Sequence, residues 1–222
     1  VADQAAGPAL SAAERAAVAS GQPLVRVHRL GSAHRLDIAD RDRVGLFADV
    51  AGLFAAQGFT VRSAVLRTED GIAVDEWHVD SPSGDAPDEA PLARALARLA
   101  EGDRSPLARL ARLSRPRAAS PSSASVAASG APGHTRAMVL PEASRTATVI
   151  EVRATDRPGL LHDLGAALSG AGLSVRSAHI ATYAGQALDT FYLTQADGTP
   201  LTPAQVGRTV ALLIETSDGR AG

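Results

Sequence analysis

Asp156-Arg-Pro-Gly-Leu-Leu-His-Asp-Leu-Gly-Ala-Ala-Leu-Ser-Gly-Ala-Gly-Leu-Ser-Val-Arg-Ser-Ala178 reads as a tight turn, an amphipathic helix and the start of a strand. Pro158 has its φ preset for the first helical position and lacks an N–H that would be orphaned there. Gly159 lets the backbone approach whatever sits over the turn. Leu160, Leu161, Leu164 and Leu168 recur at helical spacing and give one apolar stripe. Gly170 and Gly172 end the helix, and Leu173, Val175 and Ala178 open an extended segment. A helix N-terminus beside a close-approach glycine offers free N–H groups and a positive dipole end, which suits a carboxylate or another small anion.

The same stretch occurs twice. Asp42 to Ala64 aligns with Asp156 to Ala178 at a constant offset of 114 without a gap. Identical pairs include Asp42/Asp156, Arg43/Arg157, Gly45/Gly159, Leu46/Leu160, Asp49/Asp163, Arg62/Arg176 and Ser63/Ser177. The register continues through Thr68/Thr182, Gly71/Gly185 and Asp75/Asp189, with Trp77 matched to Phe191. Two copies are too few for a solenoid, and each is long enough for its own core, so the spacing predicts a tandem pair of small domains.

Composition narrows the function. The chain has 222 residues, 45% of them hydrophobic and 21% charged, as in an ordinary soluble protein, with a net charge of −2 that favours neither nucleic acid nor an acidic membrane as partner. No apolar run approaches the roughly 20 residues of a membrane span, and no signal-peptide pattern opens the chain. Cys is absent, which removes disulfides, thiolate metal sites and thiol nucleophiles. Lys is absent too, all 22 basic residues being Arg, which removes a Walker-type phosphate loop and Schiff-base chemistry. The first residue is Val1, so a longer parent chain is expected.

Residues 1–21 are read as an N-terminal tail with a short helix, opened by the capping box Ser11/Glu14 and ended by Gly21. The first domain spans 22–114 and the second 135–222. Between them, 115–134 is rich in Ser, Ala and Pro and nearly free of bulky apolar side chains, the composition of a flexible linker. Each unit reads β-β-α-β-β-α. The fold class is therefore α+β, two helices covering one face of a four-stranded antiparallel sheet in each unit. Thr68 to Gly71 carries a hairpin signal. Leu188, Thr190 and Tyr192 fall on the open side of the sheet, which calls for a partner, and the other repeat is the nearest candidate.

Three sharper readings compete with bland ones. Gly31-Ser32 followed by Asp40 and Asp42 mimics a nucleotidyltransferase motif, but Asp42 belongs to the repeated turn and a structural role is preferred. His162-Asp163 mimics a metal phosphohydrolase dyad, but the repeat has Ala48-Asp49 there, and a helix surface is preferred. Arg94, Arg98, Arg104, Arg109, Arg112, Arg115 and Arg117 form a basic run without interleaved aromatics, so a solvated face is preferred over nucleic acid. No catalytic or metal-ligating residue is assigned, and no cofactor is expected in this segment.

The Asp-Arg-Pro-Gly-Leu-Leu turn, Gly172 before the next strand, and Ala187-Leu-Asp-Thr-Phe-Tyr-Leu-Thr194 resemble the ACT domain, a ferredoxin-like regulatory module that binds amino acids. More narrowly, Glu142 to Leu164 resembles the C-terminal ACT tandem of the bifunctional uridylyltransferase/uridylyl-removing enzymes, which act on the PII nitrogen signal protein and sense glutamine. The resemblance implies a cytoplasmic amino-acid sensor, with glutamine as ligand, binding at the interface of the two repeats and controlling catalytic domains elsewhere in the parent chain. PII through the parent enzyme and a homodimer through the sheet faces are further implied partners; nucleic acid and membrane are not. The alternative is a ligand-free module in which the repeats only dimerise or dock. The expected ligand-binding residues are Asp156, Arg157, Pro158, Gly159, Leu160, Leu161 and Ser177 in the second copy. In the first they are Asp42, Arg43, Gly45, Leu46, Phe47 and Ser63. Backbone N–H groups at Gly159–Leu161 would hold a carboxylate or side-chain amide, and Asp156 or a facing strand residue the ammonium group. The plainer structural reading has Asp capping the helix, Arg solvated and Gly turning. The sequence departs from the family pattern at Val44, where Pro158 stands in the second copy, and lacks the strand that should follow the last helix. The strands Leu24–Leu30 and Arg136–Leu140, which precede the two units, are expected to take that place.

Overall fold

A computed structural model describes residues 9–113 and 135–219. The linker expected over 115–134 lies outside the described residues. The first unit contains α1 (Ala12–Ala19), β1 (Leu24–Leu30), β2 (Ala33–Arg41), α2 (Leu46–Gln57), β3 (Thr60–Val65), β4 (Thr68–Glu69), β5 (Ile72–Asp80), α3 (Glu89–Ala100) and, after a 3-10 turn at Ser105–Leu107, α4 (Ala108–Leu113). The second contains β6 (Arg136–Val139), β7 (Thr148–Thr155), α5 (Leu160–Gly170), β8 (Ser174–Tyr183), β9 (Gln186–Thr194) and α6 (Pro203–Ser217). Caps match composition: Ser11 and Thr202 form capping boxes at α1 and α6, and Asp88 caps α3.

The strands form one continuous antiparallel sheet in the order β1-β2-β5-β3-β8-β9-β7-β6, with β4 paired to β5. β1 and β6 take the two outer edges, the place expected for the strands that precede each unit. The Glu89 carboxylate accepts a hydrogen bond from the Val27 N–H at 2.7 Å, which covers part of the β1 edge. The two hairpin tips use the same backbone, with Asp70 and Gly71 at φ 51 and 76 and Ala184 and Gly185 at φ 49 and 75. Two successive positive φ values match the right-handed twist of the flanking strands.

The repeats meet edge to edge rather than through their open faces. Ala64 of β3 pairs with Ala178 of β8, and the two alanines are equivalent positions of the repeat, so a pseudo-two-fold axis passes between them. On the covered side α2 packs against α5. Each helix contributes a glycine to that contact: a methyl group on Gly52 would sit 2.6 Å from His162 Nδ1, and one on Gly165 would sit 2.7 Å from the Phe47 ring. The core is shared. Trp77, Phe54 and Phe191 are fully buried, and Phe47 stacks on Trp77 at 5.4 Å while meeting Phe191 of the other repeat edge-on at 6.0 Å. Each unit therefore completes its core with the other, where the sequence had suggested two separate ones.

α1 is not a free tail. Val18 packs on Ala39, Ile72 and Val74, with Leu10 and Leu24 at the rim. These strand residues alternate with Ile38, Ala73 and Trp77, which face the other helices, so α1 lies on the opposite face of the sheet.

Candidate functional site

Both repeated turns adopt one geometry. The Asp42 and Asp156 N–H groups donate to the Gly71 and Gly185 carbonyls, each at 2.9 Å, which ties the turn to the hairpin tip. Gly45 (φ 89) and Gly159 (φ 81) are the left-handed residues that start α2 and α5. A side chain at Gly45 would meet no neighbour within 4 Å, so there it is the φ value that calls for glycine. Val44 does not alter the turn; it sits 62% exposed where Pro158 sits in the second copy. No side chain caps either helix. The aspartates do not cap as the structural reading expected: the Asp42 carboxylate instead accepts from Thr68 Oγ1 at 2.9 Å. The positive ends of α2 and α5 are thus left to solvent or a ligand.

The turn arginines are engaged within their own turns. Arg43 Nη1 donates to Asp49 at 2.6 Å and Arg157 Nη1 to Asp163 at 2.6 Å, so each guanidinium clamps the turn onto the first turn of its helix instead of being solvated. Asp49 also accepts from Arg104 at 2.7 Å. Leu46 and Leu160 are buried core anchors. Ser63 and Ser177 follow β-bulges in β3 and β8 and line neither of the clefts described next.

Two clefts flank the pseudo-two-fold axis, of about 220 and 200 Å³, smaller than the roughly 300–1,000 Å³ of drug-sized pockets. Cleft 1 has the Asp42–Phe47 turn, Leu66, Thr68, Ala73 and Asp75 on one wall and Ser169, Leu173, Ser174 and Val175 of the other repeat on the opposite wall. Cleft 2 has the Asp156–Leu161 turn, Ile180, Thr182, Ala187 and Asp189 facing Ala55, Phe59, Thr60 and Val61. The two lists correspond almost position for position at the 114-residue offset. Each cleft is therefore built from both repeats, and it brings together Asp156, Arg157, Pro158, Gly159, Leu160 and Leu161 in one case and Asp42, Arg43, Gly45, Leu46 and Phe47 in the other.

Asp75 and Asp189 were missing from the expected site. They are 4% and 2% exposed, on strands otherwise lined with apolar side chains, and each faces the helix end of its own cleft. Neither forms an ion pair among the described residues, and Asp189 Oδ1 has no hydrogen-bond partner. Burial pushes the Asp75 carboxyl up to about 8 and the Asp189 carboxyl up to about 7, the latter helped by the negative charge of Asp156. The signal was present in sequence, a carboxylate repeated at one register position within an apolar strand. His162, on the rim of cleft 2, reaches across the axis, with Nδ1 2.7 Å from the Ala48 carbonyl. That contact and the Arg157–Asp163 pair occupy both members of the His162-Asp163 dyad, and no group of three or more metal-ligating side chains occurs among the described residues. The basic run is likewise divided: Arg98 pairs with Asp103 and Arg104 with Asp49. No helix among the described residues is long and apolar enough to cross a membrane.

Paired βαβ units with uncapped helix ends facing a shared interface define the class. Residues 148–200 match the ACT domain family, and the first unit repeats their register and fold, so the chain holds an ACT domain preceded by an ACT-like unit. The chain is similar to the bifunctional uridylyltransferase/uridylyl-removing enzyme of Streptomyces coelicolor, with 42% identity over 187 residues, 81% of this chain and 21% of that protein. The enzyme of the same name from Phenylobacterium zucineum is 42% identical over 171 residues (76% and 18%), and that of Caulobacter vibrioides 38% over 192 (86% and 20%). The chain thus spans about a fifth of the length of the curated relatives it matches.

Proposed function

We propose that the two ACT domains, over 22–114 and 135–222, sense a free amino acid, glutamine foremost, for a cytoplasmic uridylyltransferase/uridylyl-removing enzyme that acts on PII and whose catalytic centre lies elsewhere in the parent chain. One observation carries the reading: in each cleft a buried carboxylate that forms no ion pair among the described residues lines the same cleft as the uncapped N-terminus of a helix. An α-amino acid offers the complement, a carboxylate for the helix end and an ammonium group for Asp189 or Asp75. A carboxyl held near neutrality by burial ionises when a cation arrives, so the ammonium group gains an ion pair in a water-poor site.

The clefts also provide the coupling. Because each has walls from both repeats, a ligand contacts the two domains at once and favours the arrangement in which both contacts are made. Such a bias can be passed to any domain that packs differently on the two arrangements. A ligand that binds only the folded state raises stability by about 2.7 kcal/mol at a hundredfold excess over Kd. Thermal melting of the chain with each common amino acid should therefore show a rise with L-glutamine, lost in Asp189→Asn. A module that only dimerises or docks would show no rise with any of them, and that result would overturn the reading.

A further inference from the structure

The two clefts share a shape but not a charge, and the difference lies at two repeat positions. Arg67 lines cleft 1, whereas its equivalent in cleft 2 is Ala181. Arg176 also lines cleft 1, and its equivalent is Arg62. Arg62 does not line cleft 2; it holds Asp80 through Nε and Nη2 at 2.7 Å each, and only its electrostatic influence reaches Asp156. The position equivalent to Asp80 is Thr194, so Arg176 has no such acceptor and forms no ion pair among the described residues. Arg67 is mostly buried, its Nε has no hydrogen-bond partner, and its nearest carboxylate, Glu69, lies 3.7 Å away and is shared with Arg15. Of the acids in cleft 1, Asp42 is at the exposed mouth and engaged by Thr68, and the Asp75 carboxyl is raised by burial and carries its proton at neutral pH.

We propose that cleft 1 takes a small dicarboxylate, one carboxylate at the uncapped end of α2 and the other between Arg67 and Arg176, while cleft 2 takes an amino acid with an uncharged side chain. The proposal rests on the assignment of ligands to these clefts made above. Guanidinium pairs suit a planar carboxylate because their donors match its two oxygens. Cleft 2 has no cationic side chain free to do this, since Arg157 is held by Asp163. The chain would then report two metabolites of different charge at one shared interface.

Calorimetric titration of the full chain with succinate, with L-glutamate and with L-glutamine tests it. Succinate, L-glutamate or both should bind saturably, and the arm that binds tells whether an amino group is also read. Arg67→Gln/Arg176→Gln should weaken that binding at least tenfold and leave L-glutamine binding unchanged. Arg176 is exposed, so Arg176→Gln alone keeps the fold and should weaken the dicarboxylate at least threefold. Absence of binding by both acids, or binding undiminished in the variants, overturns the proposal. L-glutamine binding in that case leaves the amino-acid reading of cleft 2 standing. Dicarboxylate binding without any L-glutamine response would uphold the assignment of cleft 1 and overturn that of glutamine to cleft 2.

Discussion

His162 Nδ1 lies 2.7 Å from the carbonyl oxygen of Ala48, and the two residues hold the same position in the two repeats. The contact thus crosses the pseudo-two-fold axis, from the rim of cleft 2 to the first turn of the helix that starts cleft 1. The glycines Gly52 and Gly165 permit that approach. The helices of the two domains touch at close range, and the clefts on either side cannot change width independently of this contact.

The glycines make the first prediction. A methyl group at residue 165 would lie 2.7 Å from Phe47 and 3.2 Å from the Ala48 backbone. Overpacking of about 1–3 kcal/mol should exceed the gain of about 1 kcal/mol that alanine brings to a helix interior. Gly165→Ala should therefore lower the melting point, whereas Gly207→Ala on α6, with nothing within 4 Å, should raise it. Equal shifts of the same sign in the two variants would contradict the packing.

The turn arginines make the second. Asp49 is 2% exposed at its side chain and Asp163 31%, although both accept from the equivalent arginine. Arg43→Met leaves a buried carboxylate with Arg104 as its remaining partner, and should cost about 2 kcal/mol, less than the roughly 3–5 kcal/mol of a buried charge left with no partner. Arg157→Met leaves a partly hydrated carboxylate and should cost about 1 kcal/mol or less. Urea denaturation of both variants measures the difference; a larger loss in Arg157→Met would refute it.

Much of this was legible beforehand. The register of 114 fixed two equivalent units with their helices and strands, because apolar periodicity and glycine positions are local properties, whereas the place of β1 and β6 was expected only from the family resemblance. The shared core was not legible, because Ala64 and Ala178 are ordinary strand residues until one strand edge is laid against the other. Gly52 and Gly165 show their role only once the two helices are packed together, for the same reason. Ser63 and Ser177 look like turn-adjacent binding residues, but the bulges before them set where they fall. Asp75 and Asp189 stood in the repeat register yet read as strand carboxylates, since burial, which gives them their chemistry, is a tertiary property. α1 was read as a tail; its Val18 finds a partner on the far face only once β2 and β5 are paired.

Asp75 and Asp189 set the third prediction, a pH dependence. Their folded pKa values, about 8 and about 7, lie above the ordinary value of 3.8. A carboxyl whose pKa is raised by folding contributes most below its unfolded pKa, and that contribution is lost as pH rises through the folded value. From these two groups, stability of the ligand-free chain should fall between about pH 4 and 8. Asp189→Asn should flatten part of that fall and melt higher than the unmutated chain at pH 8, while losing the ligand. Such a gain in stability with loss of binding is expected where a site holds an unfavourable buried charge in readiness. A variant that is less stable at pH 8 would place Asp189 in the framework and not in the site.

The most direct test of the central claim is titration of L-glutamine into the 15N-labelled chain, followed residue by residue through the backbone amide signals. If the interface clefts are the ligand sites, saturable shifts should appear at Gly159, Leu161 and Asp189 and at Thr60 and Val61 across cleft 2, and should vanish in Asp189→Asn. Shifts confined to surfaces away from both clefts, or no saturable shift with L-glutamine or any other amino acid, would contradict the account.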